Sequence, residues 1–195
     1  MTQYSQYDLI GKELIKLNEM NQPKSLLERF EDFFFDKLLD SYTFSLKIPN
    51  YLYFRGKILC EDVTELSGYP FSMEDLVYLL YRRFLTSVKE IDDPLHVYNL
   101  LLVRVPDKAQ LKKRGSLIDA LYKDEGTIQY LNLKLKKSYV LRGEVLLRDL
   151  ENMIPEHNLT VEKLLETTII DFLKEYQNGN NSRVINSLIQ QLEEE

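Results

Sequence analysis

The chain has 195 residues, of which 44% are hydrophobic, and its net charge is −6. The hydrophobic share is enough to build a core, which argues against wholesale disorder, and the acidic balance argues against a protein that coats nucleic acid indiscriminately. No run of about 18 apolar residues is present, so we expect no membrane span. A single cysteine, and a start without the basic and apolar pattern of a secretory signal, predict a cytoplasmic protein.

The charge is distributed unevenly along the chain. Between Val105 and Arg148, ten Lys or Arg residues outnumber five Asp or Glu, whereas from Asp149 to Glu195 three basic residues face ten acidic ones. A local basic stretch can bind phosphate even in an acidic chain. A solvated loop region has the same composition, so both interpretations stay open.

The first predicted elements are helices and one short strand. The segment Tyr7–Met20 has a helical pattern, and a capping box opens a second helix over Leu26–Asp40. Apolar and polar residues alternate through Phe44–Ile48, which predicts a half-buried strand. Ser45 and Lys47 are expected to face outward from it.

Further helices are predicted after this strand. The segment Tyr51–Arg55 is also strand-like and allows a hairpin, and a helix over Ile58–Leu66 follows. Ser72 is a good N-cap for the next helix, whose apolar residues recur at the spacing of a core-facing stripe. Another helix is expected to begin near Asp93–Pro94, and one more to cover Asp107–Lys123.

The second half of the chain repeats the first. FSLKIPNYLYFRGKIL, from Phe44, aligns without a gap with LNLKLKKSYVLRGEVL, from Leu131, at a spacing of 87 residues. After one inserted residue, FSMEDLVYLLYRRFL, from Phe71, aligns with LTVEKLLETTIIDFL, from Leu159, at a spacing of 88. We infer an internal duplication. The alternative is that ordinary amphipathic helices share a phase.

The repeated unit predicts a second strand and further helices. The strand covers Leu131–Leu135, a helix follows over Val145–Ile154, Thr160 caps the next helix, and a last helix begins near Ser182. The residues expected to face outward around this strand are Asn132, Lys134 and Lys136.

These elements predict a mainly α protein with short β strands (α+β), in which two tandem strand-helix-helix repeats form an intramolecular pseudo-dimer. Residues 1–25 would form an N-terminal helix, 26–106 the first repeat unit and 107–195 the second. No Gly/Ser-rich or Pro-rich linker separates the units, so we expect them to pack as one globule.

Two runs resemble a ribbon-helix-helix module of the Arc/MetJ type. They are YVLRGEVLLRDLENMIPEHNLTVEKLLETTIIDFLKEY, residues 139–176, and FRGKILCEDVTELSGYPFSMEDLVYLLYRRFL, residues 54–85. The resemblance implies that two strands pair as an antiparallel ribbon, enter the major groove of DNA and read base edges with their outward side chains. It also implies that the start of the second helix of each copy, at Ser72 and Thr160, holds a phosphate.

The chain departs from the family pattern in the position of its strand, which lies several residues too early. Either the segments YLYFR and SYVLR form the ribbon, or the first helix is longer, or a strand has been added. If the early strand is the ribbon, the base readers are Ser45, Lys47, Asn132, Lys134 and Lys136. If the later segments form it, Arg55 and Arg142 are the better candidates. The repeated lysines also suit ordinary solvent-facing strand positions.

The first copy also resembles a helix-turn-helix over EDVTELSGYPFSMEDLV, with Gly68 at the turn. The second copy has Pro155 and no glycine at its turn, so it fits that motif poorly. Both resemblances imply DNA as the partner, but they place different residues in the groove.

No catalytic, cofactor or metal site is predicted. Phosphate-cradling glycine loops are missing from the sequence, and His96 and His157 are isolated from Cys60, which we expect to be a buried small hydrophobic residue. The repeated Arg55-Gly56 and Arg142-Gly143 steps suit structural roles, with the glycine at a backbone turn and the arginine beside a helix-end carboxylate.

The leading hypothesis is therefore a non-enzymatic, sequence-specific protein that binds double-stranded DNA, such as a transcriptional repressor or an accessory factor for plasmid or mobile-element DNA. The alternative is a protein-protein interaction module, such as an antitoxin, an adaptor or a phage-encoded inhibitor, which the acidic tail suits. A homodimer and a protein partner are compatible with both.

Overall fold

The computed structural model describes residues 3–20, 40–89, 127–152, 154–155, 157–177, 179 and 181–193. Within these residues, six helices and two strands confirm the mainly helical α+β class. In chain order, the elements are α1 (Leu9–Met20), β1 (Ser41–Pro49), α2 (Asn50–Ser67), α3 (Met73–Lys89), β2 (Ile128–Lys136), α4 (Lys137–Glu151), α5 (Val161–Gln177) and α6 (Asn181–Glu193).

The predicted strand-like segments after each strand are wrong, because both lie in helices. Helix α2 begins at Asn50, directly after β1, and α4 begins at Lys137, directly after β2. The buried residues of α2 recur at helical spacing and are Leu52, Gly56, Leu59, Cys60 and Val63. The aromatic residues that make this segment look like a strand, Tyr51, Tyr53 and Phe54, are not among those buried residues. The helices that follow the strands, α2 and α4, are therefore longer than the predicted Ile58–Leu66 and Val145–Ile154.

The predicted helices Tyr7–Met20 and near Ser182 are confirmed as α1 and α6, and the helices capped at Ser72 and Thr160 as α3 and α5. The helices predicted for Leu26–Asp40, from Asp93–Pro94 onward and for Asp107–Lys123 lie outside the described residues, apart from Asp40, which is not helical. The predicted domain boundaries after residues 25 and 106 also lie outside them and stay predictions.

Strands β1 and β2 pair as a two-stranded antiparallel sheet. The N–H of Asn50 donates to the carbonyl oxygen of Thr127 at 3.2 Å, and the N–H of Lys137 donates to the carbonyl oxygen of Asp40 at 2.8 Å. Both bonds give the same register, so no residue is inserted between them. One face of the sheet is buried, and its fully covered side chains are Phe44, Leu46, Ile48, Leu133 and Leu135.

The chain divides into two compact units, Met1–Phe44 with Lys134–Lys163 and Ser45–Leu133 with Leu164–Glu195. In the first unit, α1 packs against α4. In the second unit, α2 packs against α3 and α6. Each long helix that follows a strand is thus covered by at least one other helix of its own unit.

The bounds of the second-half elements repeat those of the first half. Strand β2 begins and ends 87 residues after β1, and α4 begins 87 residues after α2. Helix α5 begins and ends 88 residues after α3. These spacings are the same as those of the sequence alignment.

Gly56 allows α2 to approach the first turn of α3 closely. This glycine is buried in the helix interior, and a Cβ atom built on it would lie 2.5 Å from Sδ of Met73. The role of Gly56 is therefore close packing rather than the turn that its repeated position suggests, since any larger residue would have to displace Met73.

Candidate nucleic-acid interface

The exposed face of the sheet carries the strand residues predicted to point outward. Because side chains alternate along a strand, every second residue of β1 and β2 lies on this face. We call it the ribbon face. Its exposed residues are Thr43, Ser45, Lys47, Ile128, Tyr130, Asn132, Lys134 and Lys136. The outward orientation predicted for the five candidate base readers on this face is confirmed.

The sheet register pairs these residues across the two strands. Ser45 lies opposite Asn132, and Lys47 lies opposite Tyr130. In the first compact unit, Thr43 lies opposite Lys134. All three are non-hydrogen-bonded pairs, in which the side chains of an antiparallel sheet come closest to each other. Lys47 and Lys134 therefore each stand beside one defined neighbour.

The ribbon face is positively charged although the chain is acidic. It holds three lysines and no Asp or Glu, and both of its strands lie entirely within the described residues. A carboxylate does lie beside it, since Oε1 of Glu166 accepts the backbone N–H of Lys47 at 2.9 Å. That N–H lies in the plane of the sheet, so Glu166 is at the edge of β1 rather than on the ribbon face.

On the outer edge of β1, one backbone group in each unit is bound by a side chain of the protein. The carbonyl oxygen of Thr43 accepts hydrogen bonds from the Tyr7 hydroxyl and from Nε2 of Gln6, the latter at 3.2 Å. In the second unit, Glu166 binds the Lys47 N–H. An edge with satisfied backbone groups is a poor template for adding another strand. The Thr43 carbonyl and the Lys47 N–H of this edge are therefore already engaged within the protein.

Neither repeated arginine lies on the ribbon face. Arg55 is on α2 and is half-buried near Tyr176. Burial and the Asp62 carboxylate raise the pKa of Tyr176, and the Arg55 guanidinium offsets part of that rise. Arg142 is on α4, with its guanidinium carbon 5.5 Å from the ring centroid of Tyr139, within cation–π range. The premise that made these arginines base readers, a strand at their positions, is wrong.

The start of α3, where a phosphate is predicted to bind, has a carboxylate of the protein next to Ser72. The N–H of Asp75 donates to Oγ of Ser72 at 3.2 Å, and the N–H of Ser72 donates to Oδ2 of Asp75 at 2.9 Å. The Ser72 hydroxyl donates to the same Oδ2 at 2.6 Å. This reciprocal capping box supplies a carboxylate to the helix dipole.

The start of α5 is covered by the N-terminal residues. Thr160 caps the helix through the N–H of Lys163 at 3.4 Å, while the N–H of Val161 donates to the carbonyl oxygen of Tyr4 at 2.8 Å. The backbone N–H of Val161, at the first position of α5, is therefore already used, and phosphate binding at Ser72 and Thr160 stays a prediction.

A groove of about 440 Å³ lies between α2 and the start of α3 and includes Cys60, Thr64 and Phe71 in its lining. The pKa of the Cys60 thiol is raised to about 12, first by burial and then by the carboxylates of Asp75, Glu74 and Glu61. A thiol that stays protonated is a weak nucleophile. Over the described part of the chain, no three His, Cys, Asp or Glu side chains are grouped to hold a metal ion.

Sequence reasoning missed three members of the ribbon face, Thr43, Ile128 and Tyr130. Each precedes the segment in which the alternation is clearest, although Thr43 keeps the parity of Ser45, and Ile128 and Tyr130 keep that of Asn132. The side chains of Ile128 and Tyr130 are 50% and 62% exposed, which is high for large apolar residues.

No protein-family model, curated protein or solved structure matches the chain. None of the helices in the described ranges is long and apolar enough to cross a membrane.

Proposed function

We propose that this protein binds double-stranded DNA without catalysing a reaction, and that the ribbon face enters the major groove. The observation that carries the proposal is the segregation of charge. In a chain with a net charge of −6, the ribbon face presents three lysines and no carboxylate. Lysines on such a surface neutralise phosphates and donate to base acceptors.

The element order supports this proposal. Each strand is followed directly by two helices, β1 by α2 and α3 and β2 by α4 and α5, and the two strands are antiparallel. That is the arrangement which the resemblance to ribbon-helix-helix proteins implies. Of the three explanations for the early strand, a longer first helix agrees with the observed bounds. We propose that the chain is a duplicated unit that forms its own ribbon as an intramolecular pseudo-dimer.

The side chains of the ribbon face suit both parts of DNA recognition. Lys47, Lys134 and Lys136 can contact phosphates or the O6 and N7 acceptors of guanine. Asn132 can pair with the N6 and N7 atoms of adenine, and Ser45 beside it can donate or accept. A protein of this kind would act as a transcriptional repressor or as an accessory factor for plasmid or mobile-element DNA.

The proposal is tested by fluorescence anisotropy with random-sequence duplexes at about 50 mM and about 200 mM salt, a range over which phosphate contacts weaken strongly. The Lys47→Ala/Lys134→Ala variant should bind more weakly and lower the slope of log K against log salt by about 2. A matched control, Lys12→Ala/Lys57→Ala, removes the same charge from exposed helix positions and should change the slope less. Undetectable binding of the unmodified chain at micromolar concentration in low salt would refute DNA binding.

One observation favours the alternative, a protein-protein interaction module. Phe54 and Ile58 lie four residues apart on α2 and are 59% and 58% exposed. Two large apolar residues on one helix face can form the centre of a protein contact. If this face mediates self-association, Phe54→Ser/Ile58→Ser should lower the sedimentation mass at high concentration without changing DNA binding. A protein that sediments as a monomer in both forms would argue against self-association.

A further inference from the structure

The two ends of the ribbon face differ in chemistry. In the first compact unit, Lys134 lies opposite Thr43 and Lys136 lies opposite Ser41. This lysine end holds two cations and two small hydroxyl side chains. In the second unit, Lys47 lies opposite Tyr130, and the exposed Ile128 is two residues before Tyr130 on the same strand. This apolar end holds one cation and two large apolar side chains.

The difference separates positions that the repeat makes equivalent. At the spacing of 87 residues, Lys47 corresponds to Lys134, but Thr43 corresponds to Tyr130 and Ser41 to Ile128. A symmetric ribbon would present the same residues to both halves of a palindromic DNA site, as two identical chains do. Because the two ends of this ribbon differ, its DNA site does not have to be palindromic, and each end can contact a half-site of different sequence.

Each end fits a different set of base edges in the major groove. The ammonium groups of Lys134 and Lys136 match the O6 and N7 acceptors of guanine. The apolar group that the major groove presents is the C5-methyl of thymine, and Tyr130 and Ile128 are the ribbon residues that can cover it. Large apolar side chains on an open strand face gain most when such a contact removes them from water.

We infer that one chain reads a single non-palindromic DNA site, with guanines at the lysine end and thymines at the apolar end, and that Tyr130 and Ile128 are specificity-determining residues. The inference rests on the proposed DNA binding and adds to it the orientation and base preference of the site.

The test begins with selection of duplexes from a randomised library by the full-length chain. The enriched site should be non-palindromic and should bind one chain per duplex. Replacing thymine with uracil on the apolar side removes only the methyl groups, and should weaken binding about fourfold for each contacted methyl. The same replacement on the lysine side should have no effect.

The Ile128→Ser/Tyr130→Ser variant should bind the thymine and uracil duplexes equally, while Thr43→Ser, the matched change at the position equivalent to Tyr130, should keep the methyl effect. Circular dichroism of each variant checks that its fold is kept. A palindromic enriched site, two chains per duplex or no loss with uracil would overturn the inference and leave DNA binding standing. Failure to bind any duplex would overturn the proposed function, and the inference with it.

Discussion

The N–H of Leu159 donates to Nδ1 of His157 at 3.0 Å, and Nε2 of the same ring lies 2.8 Å from the carbonyl oxygen of Leu147. Because an N–H can only donate, Nδ1 is the acceptor, and the proton on Nε2 is donated to Leu147. The imidazole therefore joins α4 to the segment that leads into α5. A histidine that appears isolated in the sequence has a structural role here.

The first half of the chain closes the corresponding turn with a different side chain. The Thr64 hydroxyl accepts the N–H of Phe71 at 3.0 Å and donates to the carbonyl oxygen of Cys60 at 2.9 Å. Cys60 precedes Leu147 by 87 residues, and Phe71 precedes Leu159 by 88. Backbone atoms at matching positions of the two halves are thus bridged by a hydroxyl in one and by an imidazole in the other, which favours the proposed duplication.

These bridges predict a loss of stability when either side chain is removed. Thr64→Val keeps the shape but leaves the Phe71 N–H without its acceptor, so the free energy of unfolding should fall by about 1–2 kcal/mol. His157→Ala removes both of its bonds and should cost about 2–3 kcal/mol. Urea denaturation measures both values.

The matched control for the threonine is Thr86→Val. The Thr86 hydroxyl donates to the carbonyl oxygen of Arg82 on an exposed part of α3. Water can replace that bond, so the control should change stability by less than about 0.5 kcal/mol. Equal losses in Thr64→Val and Thr86→Val would contradict the bridging role.

Glu144 binds the start of α1 with a completely buried carboxylate. Its Oε1 accepts the N–H of Leu9 at 3.0 Å and the hydroxyl of Ser5, and its Oε2 accepts the N–H of Ile10 at 2.8 Å. The free N–H groups and the dipole of a helix N-terminus favour an anion at this place. The N-terminal helix is therefore held to α4 by charge and hydrogen bonding as well as by packing.

Glu144→Gln should destabilise the protein by about 2–3 kcal/mol, because one acceptor oxygen becomes an NH₂ group that faces a backbone or hydroxyl donor. Limited proteolysis should then cleave within residues 3–20 earlier than in the unmodified chain, and urea denaturation gives the energy. Glu175→Gln, at an exposed position of α5, is the charge-matched control and should have little effect. Unchanged proteolysis would mean that Glu144 does not hold α1.

Patterns of short range account for what the sequence could predict. Alternation over five residues located both strands, and a hydroxyl followed by acidic residues located the starts of α3 and α5. The prediction failed at residues 51–55, where exposed aromatic side chains give a helix the composition of a strand. In this segment the helical spacing of buried residues runs through Leu52, Gly56 and Val63. The sequence does not show that Gly56 is a core residue, because its burial depends on the packing of Met73 against it.

The Glu144 contact could not be predicted for a different reason. Its partners are backbone N–H groups 134 and 135 residues away, and backbone groups leave no signature in a sequence. The aligned residue of the first half is Lys57, which is exposed. A Lys-to-Glu difference between two aligned segments looks like surface variation, and only the packing of α1 against α4 separates the two positions.

The contact between Gly56 and Met73 predicts a coupling that a double-mutant cycle can measure. Gly56→Ala alone should change the free energy of unfolding by less than about 1 kcal/mol, because the cost of displacing the flexible Met73 thioether offsets the better helix propensity of alanine. In a Met73→Ala background, the same change should be neutral or stabilising, since alanine is a better helix former than glycine. Equal effects of Gly56→Ala in both backgrounds would show that the methyl group does not meet Met73.

The raised pKa of Cys60 predicts both low reactivity and a loss of stability at alkaline pH. Burial, followed by the carboxylates of Asp75 and Glu74, raises the pKa of the folded thiol from 9.0 to about 12. Folding therefore favours the protonated thiol. This contribution to stability is complete below about pH 9 and is lost as the pH rises from 9 towards 12. At pH 8, a disulfide reagent should modify the native chain much more slowly than the urea-unfolded chain.

Cys60→Ala separates this titration from others in the same pH range. Tyr176 also has a raised pKa, so the unmodified chain should lose stability through both groups, whereas the variant should lack the contribution of the cysteine. The free energy of unfolding, measured by urea denaturation at pH 8, 9, 10 and 11, should therefore fall more steeply for the unmodified chain. Parallel curves, or a native thiol that reacts as fast as the unfolded one, would show that Cys60 is not buried among these carboxylates.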